Sequence, residues 1–407
     1  LILIQYRGAV AKKLPLLLVY AGTAAWWPLF NVYLEKNGLS GLQIGVIASV
    51  VPVMMLLVQP LWGIWADQFG RVKLLRIAVF CYAFVLLGFL IGINFWFIFC
   101  WTVVLAFFFN PTQSIMDSVA LDIAKADPRS SYGKVRLWGA IGWAVSAPLV
   151  GKFITGREMN LIFPIAAVLM LFGFFFIQHL KIRSNTNSNE TADVETEFLS
   201  ERVKALISNR QLLTFLIIVF LMSVGTYPIW TFQSLYLSNL GASPELIGWS
   251  LGIQAMIELP FYFYSNKIIQ KYGAGRLMAF SFFMFAVRLA LYASIQNPVA
   301  GAAIELLHGV SYSFFMVASV EYINELAGEE LRATGQSAFY SIYAGLGAIV
   351  GNFGTGYLYD QMPIQRIFGY DALLLFGVGL LTLWVLRSPK TKLITEKPML
   401  KQGAIKT

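Results

Sequence analysis

Charge is what this chain has least of. Asp, Glu, Lys and Arg together make up 13% of its 407 residues, while hydrophobic residues make up 58%. A soluble globular domain carries about 25% charged residues, so a water-soluble fold is excluded. Cysteine is almost absent. Cys81 and Cys100 both lie in apolar stretches, which leaves no material for a disulfide framework or a thiolate metal site. Two histidines, His179 and His308, are too few and too far apart to form a metal cluster, and no metal or other cofactor is expected. The sequence has no GxxxxGK[ST] loop and no polar domain large enough to hydrolyse a nucleotide. Active transport, if the chain performs it, must therefore draw on an ion gradient. The first residues show no leader with a small-residue cleavage site.

What fills the chain instead is apolar sequence in runs of membrane-crossing length. A hydrocarbon core of about 30 Å needs roughly 20 residues of helix. Twelve such runs can be drawn, near 14–34, 42–66, 74–92, 95–124, 133–155, 160–180, 211–236, 245–268, 275–295, 298–325, 334–358 and 366–386. The net charge of +9 could point to nucleic acid, but its placement argues otherwise. With the N-terminus on the cytoplasmic side, 24 of the 30 Lys and Arg fall on that side. Lys36, Lys152, Arg157 and Arg366 fall opposite, and Arg136 and Arg288 lie within apolar runs. Positive-inside bias accounts for the basic balance, so both termini are expected to be cytoplasmic and no nucleic-acid partner is expected. Residues 181–210 are polar, acidic in the middle and poor in aromatics, which fits a linker. Asn189 begins a glycosylation sequon that a cytoplasmic linker would not use.

The runs repeat. At an offset of 203 residues Trp27, Tyr33, Leu34, Gly38, Ser40, Ile44, Gly45 and Gly70 recur as Trp230, Tyr236, Leu237, Gly241, Ser243, Ile247, Gly248 and Gly273. Farther on, Asp122, Arg129, Gly142 and Gly151 meet Glu325, Arg332, Gly345 and Gly354. Two tandem membrane halves of one orientation are the architecture in which a central site is exposed to either side by rocking. The expected division is 1–180 for the first half, 181–210 for the linker, 211–386 for the second half and 387–407 for a cytoplasmic tail.

After the second run the chain reads Gly63-Ile-Trp-Ala-Asp67-Gln-Phe-Gly70-Arg71-Val-Lys73. This resembles the cytoplasmic loop signature of the major facilitator superfamily, GxLADrxGrrr, at the place where that family carries it. Tyr132 to Trp143 (YGKVRLWGAIGW) resembles a stretch of the phenylpropionate-permease-like branch and, more distantly, the fifth helix of lactose-permease-type sugar:proton symporters. Trp27-Pro-Leu-Phe30, Gln59 to Gly63, Leu306-Leu-His308-Gly309 and Leu331 to Gln336 extend the likeness over nearly all of the membrane portion. The resemblance implies an all-α integral membrane protein of twelve transmembrane helices in two pseudo-symmetric six-helix halves. It also implies a cytoplasmic gate of Gly63, Asp67, Gly70 and Arg71, with Asp67 and Arg71 latching helix ends of the two halves; Asp122 and its repeat mate Glu325, near cytoplasmic helix ends, are expected to join the gate as partners of Arg71-type residues, with proton carriage as the alternative.

Ionisable residues within the apolar runs are Asp117, Arg136, Glu258, Arg288, Glu305, His308 and Glu321. A charge at a helix centre costs about 2.5–3.5 kcal/mol on insertion scales, so each is expected to face the interior beside a partner. Asp117 and Arg136 flank one turn and can meet across antiparallel helices. In lactose-permease-type symporters a fourth-helix carboxylate and a fifth-helix arginine hold substrate hydroxyls while a tryptophan stacks on the sugar ring. Arg136 and Trp143 match those positions directly and Asp117 matches after a one-residue gap; a plain buried ion pair is the alternative. Glu258, Arg288 and His308 are of the types found in that family's proton-coupling cluster. Its carboxylate three residues after the histidine is Ser311 here, whereas Glu305 lies three residues before it on the same face. Either Glu258 or Glu305 can then load a proton; a permanent ion-pair cluster is the alternative. Small residues on the fifth and eleventh helices (Gly139, Gly142, Gly151; Gly345, Gly347, Gly351, Gly354, Gly356) are expected to form sliding surfaces. The chain thus reads as a monomeric, proton-coupled importer in the cytoplasmic membrane. Its small organic solute, a sugar, nucleoside or aromatic acid, would lie between Asp117, Arg136 and Trp143 and aromatics including Trp27 and Trp230. The alternatives are a proton-coupled exporter of amphipathic compounds and a non-transporting membrane receptor of the same fold.

Overall fold

The computed structural model describes residues 12–126, 130–180 and 209–386. The linker with its sequon, the tail and Arg129 of the repeat lie almost wholly outside these residues. The first half comprises α1 (Leu14–Lys36), α2 (Gly41–Phe69), α3 (Arg71–Gly88), α4 (Phe95–Lys125), α5 (Tyr132–Ile154) and α6 (Met159–Gln178, entered through one 3-10 turn). The second comprises α7 (Arg210–Asn239), α8 (Pro244–Tyr272), α9 (Ala274–Ser294), α10 (Pro298–Leu326), α11 (residues 336–359) and α12 (Ile364–Val385). Eight of these are long and apolar enough to cross a membrane on length and composition alone; α1, α3, α8 and α11 complete the bundle. Expected and observed ends differ most at α3, which starts and stops about one turn early, and at α8, which runs one turn further.

The run Phe314–Tyr340 is continuously helical by hydrogen bonding, yet it is not one rod. Twenty-four residues of straight helix span about 36 Å, whereas the Phe315 and Phe339 rings lie 5.9 Å apart. Gln336 also donates to Asn324 at 3.1 Å. The chain therefore reverses between residues 324 and 336, separating α10 from α11 where two spans were expected.

The repeated residues make the turns. Gly38 and Gly241, and Gly70 and Gly273, all have φ between 82° and 91°, a left-handed backbone that only glycine adopts without strain. Two residues after the first pair, Ser40 and Ser243 cap α2 and α8 by accepting from the backbone N–H of Gln43 and Leu246. In α1, 16 of 23 residues are buried, so it is an inner helix. By contrast α12 turns Leu373, Phe376, Leu380 and Leu383 outward. That is an apolar stripe at helical spacing facing where lipid would be.

The halves meet along two repeat-related seams, α2 with α11 and α5 with α8. Backbones touch there. A Cβ on Gly45 would collide with the carbonyl of Asn352, one on Gly151 with that of Pro244, one on Gly248 with that of Ala147, and one on Gly356 with that of Gly41. All lie toward the end that carries the α1–α2 and α7–α8 turns. Hydrogen bonds between halves gather at the same end. Asp360 accepts from the backbone N–H of Gly41 (2.6 Å) and Leu42 (2.9 Å), Tyr359 donates to Glu35 (2.6 Å), and Asn31 donates to the Thr231 carbonyl (2.8 Å). We call this the closed end, and the end bearing Asp67 and Arg71 the basic end. The sliding-surface reading needs correction at five of its eight glycines. A Cβ on Gly139, Gly347 or Gly351 would meet Tyr20, Ser223 or the Val224 carbonyl, respectively, of its own half. Gly142 packs on the Leu17 carbonyl of α1 within its own half, and a Cβ on Gly354 would meet nothing.

Candidate functional site

Between the halves lies a cavity of about 740 Å³ whose walls include Tyr20, Gln113, Asp117, Arg136, Trp143, Trp230, Gln254 and Glu258. It reaches Tyr132 and Gly133, the first residues of α5, at the basic end. On the first-half wall Arg136 Nε lies 3.0 Å from Asp117, and the two side chains keep 35% and 43% of their surface exposed to the cavity. Tyr20 fixes the pair from α1: its hydroxyl donates to Asp117 at 3.2 Å and its ring lies 4.1 Å beneath the guanidinium. Exposure of this kind leaves both charged groups with hydrogen-bonding capacity for a solute. Trp143 lies two helical turns beyond Arg136 on the same wall.

The second-half wall carries a relay of four side chains. Arg288 donates to Glu305 (2.6 Å) and to His308 Nδ1 (2.9 Å), and His308 Nε2 lies 2.8 Å from Glu258. The local backbone explains the alignment. Ile304–Leu307 is a 3-10 turn, in which side chains three apart eclipse, so Glu305 and His308 stand one above the other before one guanidinium. A π turn, Gly309–Ser313, follows. The guanidinium only donates, so Nδ1 must accept; the ring is then the neutral tautomer with its proton on Nε2, donating to the Glu258 carboxylate. Gln254, one turn before Glu258 on α8, lies 3.0 Å from the same ring.

The two carboxylates of the relay differ. Glu305 and Arg288 are each 1% exposed, and Tyr292 also donates to Glu305; its partners are complete. Glu258 keeps 23% of its side chain exposed, lines the cavity, and meets a neutral ring rather than a cation.

Of the expected site residues, Asp117, Arg136, Trp143, Trp230 and Glu258 come together on this cavity, with His308, Arg288 and Glu305 behind Glu258. Trp27 does not join them: it stacks on Phe109 (5.3 Å) and lines a separate chamber. Glu321 departs from expectation, because it is exposed near the basic end of α10 rather than turned inward. The expected gate residues Gly63, Asp67, Gly70, Arg71 and Asp122 cluster at the basic end, but among the described residues no latch between halves is formed. Arg71 pairs with Asp67 (3.6 Å) and Asp122 (3.4 Å), both in its own half. A Cβ on Gly63 would touch nothing. Ser311 donates to the Leu307 carbonyl and takes no place in the relay. Reading the sequence missed Tyr20, for which spacing gives no sign. It also missed Gln254, whose i,i+4 relation to Glu258 was visible.

The sequence profile of the MFS_1 like family matches residues 11–370. The transporter YwbF of Bacillus subtilis (strain 168) is 27% identical over 395 residues, covering 96% of this chain and 97% of that one. The maltose permease of Geobacillus stearothermophilus is 25% identical over 385 residues, covering 93% and 95%. Among solved structures, a point mutant of the nucleoside transporter NupG superposes with a TM-score of 0.84 at 18% identity, covering 93% of this chain and all of that one.

Proposed function

The chain belongs to the MFS_1 like family of the major facilitator superfamily, and from the cavity between its halves we propose that it is a proton-coupled symporter of a neutral, hydroxylated organic solute. The observation that carries the reading is the charge inventory of the cavity among the described residues: Asp117 and Glu258 against one guanidinium, Arg136. Arg136 is already neutralised by Asp117, so an anionic solute would add an uncompensated charge, which is costly away from bulk water. Hydroxyls suit the pair, since the carboxylate accepts and the guanidinium donates, with Trp143 as a stacking face. A sugar or nucleoside fits this chemistry better than an aromatic acid. Likeness to a maltose permease and to the fold of a nucleoside transporter agrees with that preference.

Glu258 is the proton carrier in this reading, and Glu305 the structural partner of Arg288. A proton on Glu258 brings the cavity to neutrality and removes the negative charge that His308 Nε2–H faces. Loading thus loosens Glu258 from the relay just where the solute binds. Alternating access follows from the seams: the closed end must part while the basic end closes, bringing Arg71 and Asp67 within reach of the opposite half. The basic end is the cytoplasmic one by positive-inside bias, and the protein works as a monomer in the cytoplasmic membrane, since one chain completes the cavity.

The test uses purified protein in liposomes. A thermal-shift screen of sugars and nucleosides identifies a ligand by mass action. An imposed inward proton gradient should then drive accumulation of that ligand by the wild type. Glu258→Gln should abolish accumulation and retain exchange, because only the return of the empty, unloaded carrier needs deprotonation. Accumulation driven by sodium instead, or normal accumulation by Glu258→Gln, would overturn the assignment.

A further inference from the structure

Beyond Trp230 lies a second chamber of about 440 Å³, within the roughly 300–1,000 Å³ range of small-molecule sites. It sits between α1, α2, α4, α7, α10 and α11, under the closed end. Among the described residues twenty line it and none is charged, whereas eight are aromatic, among them Trp27, Tyr227, Tyr312, Tyr340 and Tyr343. Four tyrosine hydroxyls border it, and its amide and alcohol side chains already hold internal hydrogen bonds. Asn31 donates to the Thr231 carbonyl (2.8 Å), the Thr231 hydroxyl donates to Asn352 (2.8 Å), and the Thr102 hydroxyl donates to the Ile98 carbonyl (2.8 Å). A polyol placed here would set most of its hydroxyls against ring faces and aliphatic side chains, which is unfavourable. A flat apolar ring would stack.

Trp230 is the wall shared by this chamber and the polar cavity. We propose that the two chambers are one divided binding site for a ring glycoside, whose sugar sits at Asp117 and Arg136 and whose flat aglycone occupies the aromatic chamber beyond Trp230. The proposal rests on the reading that the polar cavity takes a hydroxylated solute, and it adds the second part of the molecule. The chamber also touches the relay. Tyr312 stacks on His308 with ring centroids 4.9 Å apart, and Trp230 meets the same imidazole edge-on at 5.4 Å. An aglycone packed against Tyr312 and Trp230 would bear, through them, on the residue that holds Glu258, so its presence would be felt where the proton is loaded.

The experiment compares matched pairs on the purified full chain: ribose with uridine, and methyl β-glucoside with phenyl β-glucoside, with indole as the ring alone. Binding is read by thermal shift, and counterflow in liposomes reads transport. The ring-bearing member of at least one pair should bind about tenfold or more tighter than its ring-free partner, as stacking of one ring on aromatic side chains provides. Met55→Trp, which fills the chamber from α2, and Tyr340→Leu, which removes a ring from α11, should each bring that ratio toward one. Two variants on different helices keep the test open if one fails to fold. Equal affinity within both pairs, or a ratio unchanged in the variants, overturns the divided site while leaving the hydroxylated-solute reading in place. Indole binding with no glycoside binding overturns both, as does absence of binding and counterflow for every probe.

Discussion

Gly151 gives the sharpest prediction about motion. It is the point on α5 where a side chain would strike the Pro244 carbonyl and the Glu245 Cα at the start of α8, in the opposite half. Backbone cannot swing aside as a side chain can. Forcing extra atoms into a close-packed contact costs about 1–3 kcal/mol and sometimes more, and tryptophan is the largest insertion available. At about 3 kcal/mol the cost falls only on the conformation in which the seam is shut, so Gly151→Trp should shift the population away from this structure on the order of 100-fold. The assay is cysteine labelling on a protein from which Cys81 and Cys100 have been removed. A reporter cysteine at Thr231, under the closed end, should label faster in Gly151→Trp, and one at Ala140, in the cavity open toward the basic end, more slowly. Gly354→Trp is the control, since Gly354 is the repeat mate of Gly151 and faces open space. It should leave both rates unchanged. Equal labelling in Gly151→Trp and wild type, with transport intact, would refute the rocking of α5 against α8.

Three further outcomes follow from named contacts. Arg136→Lys keeps the charge but loses the planar fork that reaches Asp117 and a solute together, so ligand affinity measured on purified protein should fall by tenfold or more while the melting temperature changes little. Glu305→Gln strips a buried guanidinium of its counter-charge, a change that costs about 3–5 kcal/mol; a large loss of thermal stability is expected, in contrast to Glu258→Gln, and equal stability of the two variants would contradict the division of roles. Asp360→Ala removes the carboxylate that caps the first turn of α2 from the other half, worth roughly 0.5–2 kcal/mol as a cap, and should raise labelling at Thr231 less than Gly151→Trp does.

The sequence by itself determined the class and the plan. Scarcity of charge and the length of the apolar runs required membrane helices. The 203-residue repeat required two like halves, and several of its members have a local duty: Gly38 and Gly241 take left-handed turns, and Ser40 and Ser243 cap the helices that follow. Such duties depend on neighbours a few residues away, so sequence displays them. The ionisable residues were legible too, because any charge in an apolar run stands out. Which of them carries what was not. Glu258 and Glu305 look alike in a string of letters, and only the approach of Arg288 and Tyr292 from α9 completes the partners of one and leaves the other facing the cavity. Trp27 and Trp230 are repeat mates, yet tertiary packing sends one into the aromatic chamber and makes the other the wall between two. The Asp67–Arg71 latch was expected to join the halves, but whether it does depends on which end is closed. That is a property of the seams, where glycine meets the backbone of a helix far away along the chain. Contacts of that range are fixed by how twelve helices pack, and no local pattern encodes them.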